Sequence, residues 1–202
     1  MTTWKQPLIS VDVFAVRNVA GRAQYATHER LLPPFAGEQA LPGVLLLSGE
    51  SLIEAAERAL SAKLDFHGGV RRTHQFGAFD GTNRDPRGAT ISIGHIVVLE
   101  PDLVDESPGS WHDAAEMVSP LPFDHELLVR EALSDIRRRM WADMEFTRAL
   151  IGDSFTTGEA LALSKQLGAT LPERESNLAR WLRTRGGAHH EGAATKFTRW
   201  RW

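Results

Sequence analysis

The spacing of apolar residues changes near Asp124 from mostly strand-like to mostly helical, and this change constrains the fold more than any other feature of the sequence. Before it, alternating and β-branched runs predict strands at residues 8–16, 73–80 and 90–100, with a weaker strand at 24–32. After it, apolar residues recur at helical spacing, first in a long helix from Asp124. A strand-rich part followed by a helical part predicts an α+β fold.

One helix is predicted within the strand-rich part, in "GESLIEAAERALSAKLDF". Its apolar positions recur at helical spacing and are Leu52, Ile53, Ala56, Ala59, Leu60 and Leu64. Ser51 is placed to cap the first turn, and Glu54 completes the sequence signature of a helix start. We therefore expect a helix that buries one face.

The charges of the chain are distributed unevenly. The net charge is −3, but residues 155–202 hold eight Lys or Arg against four acids, a balance of +4 that leaves −7 for the remainder. An acidic body with a basic tail is expected when only the tail meets a polyanion. Cysteine is absent, and we find no signal peptide and no apolar run of ~18 residues, so we expect a soluble cytoplasmic protein without a membrane partner.

The basic tail has the size and order of a winged helix-turn-helix, with two helices, a glycine-rich turn and a terminal strand. In its second helix, Leu178, Trp181 and Leu182 form the packing face. The residues left to contact DNA are Arg174, Asn177, Arg180, Arg183, Thr184 and Arg185 on the helix, and Lys196 and Arg199 on the strand. The alternatives are an ordinary solvated helix and a protein-interaction module.

Residues 44–66 resemble the Nudix box, G-x5-E-x7-R-E-U-x-E-E-x-G-U, in which U is apolar. Glu50 takes the first acid, Arg58 the arginine, and Leu60 and Phe66 the two apolar positions. The pattern also has a glycine at its start, a cluster of three acids and a glycine near its end. At these five positions this chain has other residues, which are Val44, Ala59, Ala62, Lys63 and Asp65.

The missing acids bear on metal binding. Acids at helical positions i, i+3 and i+4 share one face, and a hard divalent cation needs several such oxygens. In Nudix hydrolases this cluster binds the magnesium ions that act in diphosphate hydrolysis. Here Lys63 would repel a metal and Glu50 alone is a poor site, so we predict no metal, no cofactor, no catalytic residue and no enzymatic activity. The alternative is an active hydrolase of ADP-ribose-like nucleoside diphosphates, with metal ligands outside the box.

The whole chain resembles the Nudix-related transcriptional regulators of bacteria. The resemblance rests on the box, on "NRDPRG" (83–88) before a β-branched strand, on "FDH" (123–125) at the start of the long helix, and on the tail. It implies a Nudix-type mixed sheet with flanking helices, followed by a C-terminal winged helix that binds operator DNA. It also implies repression of NAD-metabolism genes, released by ADP-ribose or a related nucleotide, although some members respond to a sugar.

This resemblance also implies a division of the chain. We expect a degenerate Nudix effector-binding domain at 1–122, a linking helix at 123–150 and a winged helix-turn-helix domain at 151–202. Because bacterial operators are usually palindromic and are read by two-fold dimers, we expect a homodimer. The linking helix could pass the ligand state to the DNA-binding domain, since a packed helix can shift as a unit.

Five charged residues are candidates for holding a phosphorylated effector. They are Arg30, Glu50, Lys63, Arg84 and Arg87. Guanidinium groups match phosphate geometry, and two of these arginines lie in a loop at a strand end. Each candidate has a structural alternative: Asp85 could pair with a loop arginine, Arg58 could pair with Glu50, and the other two cations could simply be solvated.

Overall fold

The computed structural model describes residues 6–100, 108–190 and 199–202. The strands in these ranges are β1 (Leu8–Val19), β2 (Arg22–Glu29), β3 (Gln39–Ala40), β4 (Gly43–Leu45), β5 (Val70–Phe79), β6 (Thr90–Leu99), β7 (Ser110–Asp113), β8 (Ser154–Thr156) and β9 (Arg199–Arg201). The helices are α1 (Leu52–Leu64), α2 (His125–Arg139), α3 (Met144–Ile151), α4 (Thr157–Leu167) and α5 (Leu178–Trp181). None of these helices is long and apolar enough to cross a membrane.

Strands β1 to β7 form one mixed sheet, in which β3, β2, β1, β6 and β5 lie side by side in that order. β1 and β6 are parallel, and the other pairs are antiparallel. β4 and β2 pair with different parts of β1, and β7 pairs with β2. The predicted α+β fold with a mixed sheet and flanking helices is confirmed.

The β1 strand buries both of its faces. Phe14 and Val16 pack with α2 and α3 in one hydrophobic cluster, whereas Val11, Val13 and Ala15 pack with α1 in another. Successive side chains of a strand point to opposite faces, so this apolar run covers both layers. The sheet therefore lies between α1 on one side and α2 and α3 on the other.

The start of α1 agrees with the sequence prediction. The Ser51 hydroxyl accepts a hydrogen bond from the Glu54 amide, at 3.3 Å, and the Glu54 carboxylate accepts one from the Ser51 amide, at 2.8 Å. This capping box satisfies backbone donors that the first helical turn leaves free.

The predicted long helix from Asp124 is interrupted in the structure. α2 ends at Arg139, and α3 begins at Met144 after Trp141 has taken a left-handed φ of 72°. Asp143 caps α3 by accepting a hydrogen bond from the Phe146 amide, at 3.0 Å. The Trp141 indole donates to Ser164 Oγ, at 2.9 Å, so the break places this tryptophan against α4. The spacing of apolar residues continues across the break, so it could not predict that the helix ends at Arg139 and that a new helix begins at Met144.

Residues 151–202 are called the C-terminal segment here, and the described part of this segment, 151–190 and 199–202, packs directly on the sheet. Phe155, Leu163 and Trp200 belong to the same hydrophobic cluster as Phe14 and Tyr25 of the sheet. β8 pairs with β9, and α4 has a capping box at its start and Gly168 in a left-handed conformation at its end.

Polar contacts also join this segment to the β1–β2 hairpin. The Gln166 side chain accepts a hydrogen bond from the Ala23 amide, at 2.6 Å, and donates one to the Ala23 carbonyl, at 3.0 Å. Asn18 donates to the Ile151 carbonyl, at 3.0 Å. The hairpin is thus held to α4 by Gln166 and to the end of α3 by Asn18.

A substitution at Gly21 tests how closely the β1–β2 hairpin approaches α4. Its φ is +83°, and a Cβ there would lie 2.8 Å from the backbone of Glu159. Gly37 has a φ of +86° with no atom within 4 Å of such a Cβ. We expect Gly37→Ala to lower the free energy of unfolding by about 1–2 kcal/mol, from backbone strain alone. Gly21→Ala should lower it by a further ~1–3 kcal/mol, from overpacking. Urea unfolding measures both, and equal losses would contradict the close approach.

Candidate functional site

A cavity of about 1000 Å³ opens beside α1. Its walls come from the start of β1, the end of β2, the last turns of α1, the loop between β5 and β6, and the start of α2. Of the five predicted ligand-binding residues, those that line it are Arg30, Lys63, Arg84 and Arg87. Glu50 does not line it.

Arg84 is held in a buried ion network. Its guanidinium donates two hydrogen bonds to Asp124, at 2.7 and 3.0 Å, and a longer one to Asp12, at 3.4 Å. Asp12 also accepts from the hydroxyls of Ser10 and Ser92, at 3.1 and 2.6 Å. The Arg84 side chain is only 4% exposed, and two carboxylates accept three of its hydrogen bonds.

His125 completes this network from the first turn of α2. Its Nδ1 accepts a hydrogen bond from the Leu41 amide, at 3.0 Å, so the neutral ring carries its proton on Nε2. Nε2 lies 3.7 Å from Asp12 Oδ1. Burial lowers the pKa of His125. Asp12, Asp124 and His125 were not among the site residues predicted from the sequence, although the "FDH" motif contains the last two.

Arg87 pairs with a carboxylate of its own loop. Its guanidinium donates to both oxygens of Asp85, with the shortest bond at 2.7 Å. This hydrogen bonding lowers the pKa of Asp85. The Arg87 side chain is 51% exposed and also lies near the Phe123 ring. Asp85 therefore fixes this arginine at the cavity mouth.

Glu50 is engaged with Arg58. The guanidinium binds both carboxylate oxygens, at 2.7 and 2.8 Å, and donates to the Leu45 carbonyl, at 2.8 Å. The Glu50 carboxylate also accepts from the Leu47 amide, at 3.0 Å. Hydrogen bonding to Arg58 lowers the pKa of Glu50 to about 2. These contacts connect α1 with the segment before it, as the structural alternative for this pair anticipated.

Arg30 and Lys63 have surroundings that differ from those of Arg84 and Arg87. Within the described ranges, neither Arg30 nor Lys63 lies in an ion pair with a carboxylate. Arg30 donates instead to the carbonyls of Pro34, at 2.9 Å, and Leu32, at 3.3 Å, and its guanidinium lies 4.8 Å from the Phe123 ring centre.

The positions of the missing box acids do not all face the cavity. Ala59 is fully buried between α1 and the sheet, whereas Ala62 and Lys63 line the cavity. The helix wall therefore presents a methyl group and an ammonium. Among the described residues, no group of three or more His, Cys, Asp or Glu side chains could hold a metal ion.

The second predicted surface lies on α5 and its flanking turns. A 3₁₀ turn at Glu175–Asn177 precedes α5, and a π-helical turn at Leu182–Gly186 follows it. Leu178 and Leu182 are buried, and Trp181 packs edge-on against Trp141. The predicted DNA-contacting residues of this region are all exposed: Arg174, Asn177, Arg180, Arg183, Thr184 and Arg185.

The two predicted strand contacts have different outcomes. Arg199 is exposed and donates to the Ser154 hydroxyl and carbonyl, at 2.9 and 2.7 Å, with Glu159 at 3.7 Å. Lys196 lies outside the described residues.

Comparison with solved structures identifies the fold as that of Nudix/MutT proteins. A MutT/nudix family protein from Enterococcus faecalis aligns over 100% of this chain and 88% of its own, with 16% identity and a TM-score of 0.77. NrtR from Shewanella oneidensis aligns over 96% of this chain and 93% of its own, with 20% identity and a TM-score of 0.78. A scan against protein-family models and a search of curated proteins found no match.

NrtR has also been solved with ligands. One structure is a complex with a 27mer DNA, with a TM-score of 0.77. Another is its Nudix domain complexed with ADP ribose, which aligns over 66% of this chain and 90% of that chain, with 22% identity and a TM-score of 0.57. At these identities the likeness concerns the fold.

The comparisons contradict the prediction that the chain is not an enzyme. A bifunctional NMN adenylyltransferase/ADP ribose pyrophosphatase from Francisella tularensis shares the fold over 66% of this chain and 43% of that chain, with 21% identity and a TM-score of 0.52. So does a MutT NUDIX hydrolase from Burkholderia pseudomallei, over 63% and 98%, with 19% identity and a TM-score of 0.50. Substitution of the box acids was insufficient ground for that prediction, because hydrolases and a regulator share this fold.

The burial of Arg84 predicts a large effect of its removal. Arg84→Met leaves Asp12 and Asp124 without their cation, and we expect a loss of about 3–5 kcal/mol in the free energy of unfolding. Arg130→Met removes an exposed arginine that lies 3.9 Å from a solvent-accessible Glu126 and should cost at most about 1 kcal/mol. Urea unfolding of both variants gives the comparison. Similar small losses would show that the buried network contributes little.

His28 predicts how stability depends on pH. Burial lowers its pKa from 6.5 to about 4, and nearby Lys63 and Arg30 add to the effect. As the pH falls, His28 is therefore protonated in the unfolded chain before it is protonated in the folded chain. Its contribution to the free energy of unfolding is complete above pH 6.5 and is lost as the pH falls toward 4. We expect His28→Gln to flatten the decline in unfolding free energy over this window. The exposed His67 provides the control variant His67→Gln, and equal slopes in the two variants would count against the assignment.

Proposed function

We propose that the chain is a ligand-responsive regulator of transcription. In this proposal the cavity binds ADP-ribose or a related nucleotide of NAD metabolism, and the C-terminal segment binds operator DNA as a winged helix. The bound nucleotide releases the DNA, so that the protein acts as a repressor in the cytoplasm. The DNA-binding form is a homodimer, since a palindromic operator offers two equivalent half-sites.

The observation that carries this proposal is the presence of two separate cationic surfaces on one chain. Arg30 and Lys63 line a concave, partly open cavity, which suits a small anion. The arginines of the α5 region project into solvent, which suits an extended polyanion. The structures of NrtR with ADP ribose and with DNA support the same pair of ligands.

The order of elements in the C-terminal segment supports the DNA-binding part of the proposal. α4 and α5 are joined by a turn, and β8 and β9 form a small sheet beside them. Such a second helix would insert into the major groove, where asparagine and arginine can read base edges. Asn177 and the neighbouring arginines are the side chains available for those contacts.

The α2 helix offers a physical route between the two surfaces. At its start, Asp124 binds Arg84 of the cavity wall. In its last turn, Arg137 donates to the Leu167 carbonyl at the end of α4, at 3.1 Å. A nucleotide that changes the position of Arg84 would therefore act on α2 and, through it, on α4. Such coupling must appear as a change in DNA affinity when the nucleotide binds.

The proposal is tested by measuring binding to the protein's own promoter region with and without ADP-ribose. We expect DNA binding that weakens steeply as salt rises and that is reduced by ADP-ribose. The double variant Arg180→Gln/Arg183→Gln should bind DNA more weakly and lower the salt slope by about two, if each arginine neutralises one phosphate. Arg130→Gln removes an exposed arginine from α2 and serves as the control.

Two results would count against the proposal. DNA affinity that is insensitive to salt and to the double variant would favour a protein-interaction role for the C-terminal segment. DNA affinity that is unchanged by bound ADP-ribose would exclude the coupling.

Hydrolysis of the same nucleotide is a second candidate function. It is favoured by the shared fold of the Francisella tularensis ADP ribose pyrophosphatase. Incubation of the protein with ADP-ribose and magnesium, followed by measurement of AMP, tests it directly. Turnover without any effect of ADP-ribose on DNA binding would make hydrolysis the better account of the cavity.

A further inference from the structure

Magnesium is the ion expected in a Nudix hydrolase cavity, but the described side chains here do not fit it. Asp12 and Asp85 are held by Arg84 and Arg87, respectively. Among the described residues, no group of three or more suitable side chains could hold a metal. Magnesium retains its waters unless oxygen ligands replace them in near-octahedral geometry. The described side chains of the cavity therefore do not supply the oxygen donors that would place this ion against a diphosphate.

Lys63 occupies the part of the cavity wall where the box pattern has an acid. It is half-buried in the last turn of α1 and lines the cavity. A lysine near a helix C-terminus is favoured by the helix dipole, and this alone could explain its presence. However, Lys165 in the last turn of α4 meets the same preference while exposed to solvent. The additional property of Lys63 is its half-buried position in the cavity wall, without an ion pair to a described carboxylate.

Arg30 is the second unpaired cation of the cavity. Its bonds to the Pro34 and Leu32 carbonyls use Nε and Nη2 and fix the plane of the guanidinium. Nη1 has no hydrogen bond to a described residue and is therefore available to a ligand. Arg30 and Lys63 both lower the pKa of His28, which lies in the same wall. Their positive charges thus act on one region of the cavity.

We infer that Lys63 and Arg30 hold the diphosphate of the nucleotide without a divalent cation. The inference rests on the proposed ligand class and adds how that ligand is recognised. Charge-assisted hydrogen bonds from an ammonium and a guanidinium supply the positive charge that a metal would otherwise bring. The apolar side chains of Leu41, Val44 and Phe123, which are buried or half-buried at the cavity, strengthen these interactions by displacing water.

Isothermal titration of the full chain with ADP-ribose tests this inference. The titration is performed once with magnesium and once with EDTA, and we expect equal affinity in the two conditions. Adenosine, which lacks the phosphates, should bind far more weakly. Loss of a charged hydrogen-bond donor costs roughly 1.5–3 kcal/mol, so Lys63→Gln and Arg30→Gln should each weaken binding by about tenfold to a hundredfold.

Two further variants separate charge from helix structure. Lys63→Glu restores an acid at the box position and should weaken binding more than Lys63→Gln in EDTA, because it places a negative charge against the diphosphate. Lys165→Gln removes a lysine from the equivalent place in α4 and should bind ADP-ribose like the unmodified protein. Thermal unfolding of every variant verifies that the fold is retained.

The outcomes distinguish this inference from the proposed function. If ADP-ribose binds only with magnesium, or if Lys63→Gln binds as tightly as the unmodified protein, the inference is overturned while the regulator proposal stands. If ADP-ribose binds in neither condition, the proposed ligand class itself fails. Equal affinity with and without magnesium, together with weaker binding by both cation variants, supports the inference.

Discussion

The buried ion network of Arg84 with Asp12 and Asp124 is the interaction on which the arrangement of this protein depends. It joins the loop between β5 and β6 to β1 and to the start of α2. An uncompensated charge in a protein interior costs several kcal/mol, so these three elements keep their relative positions unless another charged group replaces a partner. The cavity wall and the start of α2 therefore behave as one unit, and an anion in the cavity can compete for the same guanidinium.

The cavity contains two classes of cation that serve different purposes. Arg84, Arg87 and the nearby Arg58 are each matched to a carboxylate, and these pairs shape the walls. Arg30 and Lys63 are oriented by backbone contacts or by their helix, which leaves their charge available. Such cations can bind a nucleotide diphosphate without first breaking an ion pair within the protein. This difference, more than the number of cations, makes the cavity suited to an anion.

The C-terminal segment is joined to the sheet by side-chain hydrogen bonds and by hydrophobic packing. Trp141, at the break between α2 and α3, donates to Ser164 of α4, and Gln166 bonds both backbone groups of Ala23. A continuous hydrophobic cluster underlies these contacts. Movement of α2 would therefore have to displace α4 with it, because closely packed interiors transmit strain instead of absorbing it.

The sequence by itself determined the strands β1, β5 and β6, the capped start of α1, and the exposed arginines of the α5 region, since each depends on local periodicity or on neighbouring residues. Four of the five candidate ligand-binding residues, all of them cations, line the cavity. Only the tertiary structure decided that Asp12 meets Arg84 and that His125 meets Asp12. These outcomes depend on pairs far apart in the chain, whose charges are matched only after the sheet and α2 have packed together. The break at Trp141 has the same cause, because the partner of its indole lies on another helix.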